Sequence, residues 1–182
     1  MANKNFSWNE VKRRLHGSTT EKLLEVIRDL YQLNSNNRRF LETRFLRSDA
    51  NLERYRELVS EVIFPDPFGR RKTSIAEAKR LIREYDKATG DSAGVTELKL
   101  TFVEQGTNQA LEFGCADDQY FAAMASMVNS AIESLRELPD EIRQRHIPRL
   151  ENLRNRGSRL AWGYGDFLND ALEQFILEER LD

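Results

Sequence analysis

Residues Ser92 to Phe113 read SAGVTELKLTFVEQGTNQALEF, and the fold class turns on this stretch. Its middle, Leu98-Lys99-Leu100-Thr101-Phe102-Val103, alternates well enough to be a strand. Over the full length, however, Val95, Leu98 and Phe102 recur at helical spacing, and Leu100, Val103 and Leu111 widen that face. A strand needs neighbours to satisfy its ladder, and no second strand candidate occurs in the chain. The stretch therefore reads as a helix. Gly106 sits inside it at a cost of about 1 kcal/mol relative to alanine, which calls for close packing by a neighbour or a break.

The same period extends in both directions. Towards the C-terminus, Asp117 or Asp118 caps a helix carrying Phe121, Met124, Val128, Ala131, Leu135 and Leu138. Pro139 suits the first turn of the next, which holds Ile142, His146, Leu150 and Leu153. Pro148 is expected to kink or split it, and Gly157 to end it. Trp162-Gly163-Tyr164-Gly165 reads as an aromatic-filled connection to a last helix starting near Asp166, with Leu168, Leu172, Phe175 and Ile176 inside.

Towards the N-terminus, Ser74 with Glu77 and Ser18 with Glu21 have the spacing of capping boxes. They open helices with Leu81, Ile82 and Tyr85, and with Leu23, Leu24, Ile27, Leu30 and Tyr31. A short helix ends before Gly17, Asn34 to Asn37 make a turn, a third helix holds Phe40 and Phe45, and Asp49 caps a fourth. The expected fold is a compact all-α domain of about eight or nine helices spanning 1–182, with one Pro/Gly loop at 65–72. Leu24, Ile27, Val59, Ile82, Phe102, Met124, Val128, Leu135 and Phe175 are its expected core.

The net charge of -2 gives no global attraction for nucleic acid or an anionic membrane. The charges are nevertheless blocked. Residues 1–85 hold 18 Lys/Arg against 12 Asp/Glu, residues 86–118 hold 2 against 7, and residues 139–160 hold 6 against 3. One cysteine, Cys115, excludes an internal disulfide, and no run of eighteen apolar residues or apolar leader core is present. These features point to a reducing, cytoplasmic compartment.

Catalytic motifs do not assemble. His16 and His146 lack helical ligand partners, so neither metal nor cofactor is expected. Cys115 has no identifiable base beside it. Glu104 and Glu112, or Asp117 and Asp118, are paired carboxylates that read as a solvated helix face unless a pocket forms around them.

Basic clusters are the most suggestive feature. Arg70, Arg71 and Lys72 follow Phe68 at a loop tip held by Pro65 and Pro67. Arg143, Arg145 and Arg149 lead a run continuing to Arg154, Arg156 and Arg159, and Lys12-Arg13-Arg14 form a third cluster. Guanidinium forks hold phosphate or carboxylate, and an aromatic beside them stacks on a base.

Leu23 through Tyr31, Asn37-Arg38-Arg39-Phe40-Leu41, Phe64-Pro65, Ala76-Glu77-Ala78-Lys79 and Gly94 through Gly106 together resemble an uncharacterised family of bacterial helical domains of unknown function. The resemblance covers most of residues 8–135. It implies a bacterial origin and a helical fold, and it brings no activity or site residues. The expected function is a non-catalytic protein-interaction or scaffold module of the bacterial cytoplasm, with another protein as partner. The alternative is an RNA- or DNA-binding accessory protein using the arginine clusters, and a third is an enzyme with a carboxylate site. The sequence leaves the oligomeric state open.

Overall fold

The computed structural model describes residues 7–70, 72–114, 118–160 and 163–181. Among them the protein is all-α, with nine helices and no strand. The residues fall into two units that divide after Leu46. The boundary is not the 65–72 loop, which lies inside the second unit.

The first unit holds α1 (Trp8–Leu15), α2 (Thr20–Leu33) and α3 (Ser35–Phe45). The α2 cap is Thr19, one residue later than Ser18: its side chain accepts from the Lys22 amide at 3.4 Å. Asn34 to Asn37 do not form an independent turn. Asn34 alone ends α2, and its side chain accepts from the Asn37 amide at 2.9 Å to open α3. Asn37 Nδ2 donates to the Leu30 carbonyl, and the Tyr31 hydroxyl donates to Glu42, so polar bonds zip α2 to α3. Among its described residues only Arg39 and Thr43 are buried.

The second unit holds α4 (Asp49–Ile63), α5 (Ile75–Thr89), α6 (Ser92–Phe113), α7 (Asp118–Arg136), α8 (Asp140–Gly157) and α9 (Tyr164–Leu181). Ser48, not Asp49, is the N-cap of α4. Ser74 caps α5 by accepting from the Glu77 amide at 3.3 Å, and Gly90 closes α5 at φ +64°, where a side chain would be strained.

The stretch that decides the fold is one continuous helix at the centre of this unit. α6 packs on α4, α5, α7 and α8, and it is buried on nearly every side, including Leu98, Leu100, Phe102, Val103 and Ala110. Encirclement explains why its pattern is not a clean stripe: with neighbours on several sides, apolar residues spread round the helix, and charged residues such as Lys99 and Glu104 meet partners on α7 and α8. Gly106 marks close packing, not a break. A Cβ there would collide with Met124, while Tyr120 donates to the Gly106 carbonyl at 2.8 Å.

Gly157 likewise admits Leu168, bringing α8 against α9. α8 passes through Pro148 without splitting, because Pro148 and Gln144, whose carbonyl loses its usual donor, both lie on the exposed side. The void left between α6, α7, α8 and α9 is only about 10 Å³ and is lined by apolar side chains such as Val103, Val128 and Leu172.

Of the expected core, Val59, Ile82, Phe102, Met124, Val128, Leu135 and Phe175 are buried. Leu24 and Ile27 are not; they are 60% and 41% exposed.

Candidate functional surfaces

The loop after α4 is locally preset. The Asp66 carboxylate accepts from the Phe68 amide at 2.9 Å, and its carbonyl accepts from the Gly69 amide at 2.9 Å. This turn leaves Phe68 96% exposed. Arg70 and Lys72 are exposed beside it, and Arg71 lies outside the described residues.

Most of the arginine-rich segment is engaged within the unit. Arg143 donates to Glu179 at 2.8 Å and to the Leu138 carbonyl at 2.9 Å. Arg145 pairs with Glu141 one turn earlier. Arg154 lies 3.8 Å from Glu173, and Arg156 donates to Asn108 at 2.6 Å.

Arg149 reaches furthest in. Its Nε and Nη2 fork onto the Glu104 carboxylate, and its Nη1 meets both oxygens of Glu97 at 2.7 Å. Burial works against this charge, but the bonds and proximity of Glu104 and then Glu97 outweigh it, so the guanidinium is held above its ordinary pKa. The neighbouring His146 moves the other way: burial pushes its pKa below the ordinary value, Arg149 adds to this, and Glu97 and Glu104 oppose it.

The carboxylates brought together are therefore Glu97 and Glu104, not Glu104 and Glu112. Glu97, Thr101 and Glu104 lie at i, i+4 and i+7, one face of α6, and that spacing was the available signal. The face is closed by Arg149, which clamps α8 to α6. Lys99 makes a similar tie, donating to Ser134 Oγ at 2.6 Å and the Ser130 carbonyl at 3.2 Å across to α7. Cys115, Asp117 and Trp162 lie outside the described residues. Among the described residues, no three His, Cys, Asp or Glu side chains gather as a metal site requires, and no helix is long and apolar enough to cross a membrane.

The surface that sequence reasoning missed is in the first unit. At about 100° per residue, Leu33, Val26, Leu30, Leu23, Ile27, Tyr31 and Leu24 occupy one half of the α2 circumference, shared with Thr20 at its first position. Glu21, Arg28, Gln32, Glu25, Asp29 and Lys22 fill the other half. A single helical neighbour needs a stripe roughly 100° wide, so α3 covers only part of this half-cylinder. Leu23 and Tyr31 are partly buried, whereas Leu30 is 46% and Leu33 71% exposed. Trp8 and Val11 on α1 and Phe45 and Leu46 at the end of α3 are exposed as well. Lys12, Arg13 and Arg14 form the basic last turn of α1. No protein-family model matches the chain, and no curated protein or solved structure matches it either.

Proposed function

We propose that the chain is a non-catalytic protein-interaction module of the bacterial cytoplasm, docking through the apolar face of α2. The observation that carries this is the mismatch between the α2 pattern and its cover: Leu24, Leu30 and Leu33 stay exposed on a unit that buries no apolar side chain among its described residues. A contiguous apolar surface of this kind marks an interaction site more often than a free surface. The bacterial assignment rests on the sequence resemblance alone. The loop tip supplies a second contact: Phe68 on its preset turn loses little entropy on binding, with Arg70, Arg71 and Lys72 alongside.

Nucleic acid is the weaker alternative. Arg143, Arg145 and Arg149 already hold carboxylates, which leaves Arg70, Lys72, Arg159 and the α1 cluster to meet phosphate. The test is a pull-down from the host with and without nuclease, using the parent chain, Leu30→Glu, and Phe68→Ala combined with Arg70→Ala and Lys72→Ala. Nuclease-resistant partners lost with Leu30→Glu support the module. Recovery abolished by nuclease points to nucleic acid. Partners indifferent to both variants would defeat the assignment.

A further inference from the structure

The charges that border the α2 half-cylinder repeat in a way that names its occupant. On the edge beside Leu24 stand Glu21 and Arg28; on the edge beside Leu33 stand Lys22 and Asp29. Each edge thus carries one acid and one base seven residues apart, two helical turns on the same side. When two copies of one helix pack antiparallel about a two-fold axis, each edge meets the same edge of the other copy. With Val26 and Leu30 in the contact, the edge that flanks it is the one beside Leu33, and an axis near residue 26 sets Lys22 opposite Asp29 there, the pair occurring twice. Glu21 and Arg28 lie about half a turn round the helix and stay outside the contact.

Within one copy Lys22, Arg28 and Asp29 have little to do, while Glu21 is hydrogen-bonded at the helix start by its own amide and Thr19. Arg28 and Asp29 lie 4.0 Å apart with both side chains mostly exposed, and no ion pair engages Lys22. A lipid surface would favour a uniformly basic polar border over one that alternates acid and base.

We infer that α2 of a second copy of this chain occupies the exposed face, antiparallel to the first, with Val26 and Leu30 in the seam. The inference rests on the interaction-module assignment and gives it a partner. It also accounts for a small unit, Met1–Leu46, whose described residues form no apolar interior of their own, since small units bury too little surface to be stable without outside support.

The experiment is sedimentation equilibrium of the full chain at micromolar concentrations. The parent should be a dimer and Leu30→Glu a monomer of unchanged helicity. Lys22→Glu should raise the dissociation constant about tenfold, as two related pairs turn from attraction to repulsion. Asp29→Lys should do the same. For Lys22→Glu the weakening cannot come from a damaged helix, since an acid in the first turn favours it, and for Asp29→Lys the unchanged helicity is checked by circular dichroism.

An equimolar mixture of Lys22→Glu and Asp29→Lys should restore parental affinity, because every cross-pair is again unlike. A parent chain that stays monomeric at about 100 µM, or a mixture no tighter than its components, overturns the antiparallel pair. A monomer that sediments with anionic vesicles overturns it in favour of a lipid surface. A monomer that still loses pulled-down partners on Leu30→Glu overturns the second copy and leaves the module standing. A monomer that loses nothing overturns both.

Discussion

α2 and α5 are written in the same style and meet opposite fates. Both are capped helices with a full apolar stripe on one side and charges on the other. α5 buries Ala78, Leu81, Ile82, Tyr85 and Ala88 between α4 and α6, whereas α2 buries nothing. The difference lies in the supply of neighbours. Periodicity says which face of a helix seeks cover; it does not say how many helices will arrive to provide it. Seven apolar side chains spread over half a circumference, with α3 as the helix packed on them, leave a surface in search of a partner.

The sharpest way to test this contrast is to truncate a large side chain in each unit. Phe102→Ala or Phe175→Ala should cost about 3–5 kcal/mol in urea unfolding, since both rings are wholly buried. Leu33→Ala should change the unfolding of α4–α9 by no more than about 0.5 kcal/mol. Equal losses in both units would erase the distinction.

A smaller effect separates engaged arginines from idle ones. Arg149→Met leaves Glu104 without its forked donor and Glu97 with only the Arg56 guanidinium at 3.4 Å, and should cost about 1.5–3 kcal/mol. Adding Glu97→Gln and Glu104→Gln should recover most of that loss, because the stranded charges are then gone. Arg145→Ala, which removes an exposed pair, should cost less than about 0.5 kcal/mol. If Arg149→Met proves as mild as Arg145→Ala, the clamp is surface decoration.

The smallest effect is a pH dependence. His146 has a folded-state pKa below the ordinary 6.5. As pH falls through 6.5 towards that lower value, the unfolded chain takes up its proton first, so stability present above 6.5 is lost. His146→Gln should flatten the melting-temperature profile between pH 7 and pH 5 relative to the parent. A parallel profile would mean that the histidine's proton contributes nothing to the balance.

These contrasts also show what a single sequence can disclose. The bounds of α6 were legible at Ser92 and Phe113, because a cap residue and Gly114 punctuate them and no strand partner existed. The interior of the second unit was legible for a similar reason: stripes such as Met124, Val128 and Leu135 have enough neighbours to be covered. The role of Arg149 was not legible. Its carboxylates stand 52 and 45 residues away, and an arginine run looks the same whether it faces solvent or an acidic helix. The exposure of Leu24 and Ile27 was hidden likewise, since it depends on elements that do not pack there.

The order in which the helices touch carries a consequence for speed. α2 lies on α3, α4 on α5, α5 on α6, α6 on α7, and α8 on α9, while the other main contacts, α4 with α6, α6 with α8 and α7 with α9, each skip a single helix. The links that make the turns are short, Asn34 between α2 and α3 and Gly90 with Asp91 between α5 and α6. At the second of these the Asp91 carboxylate accepts from both the Tyr85 hydroxyl and the Gly94 amide, latching the end of one helix to the start of the next. Wiring to near neighbours closes only small loops at each step, the feature that among small two-state domains goes with folding in roughly microseconds to milliseconds. Within the second unit, each helix after α4 thus packs on at least one that precedes it in the chain.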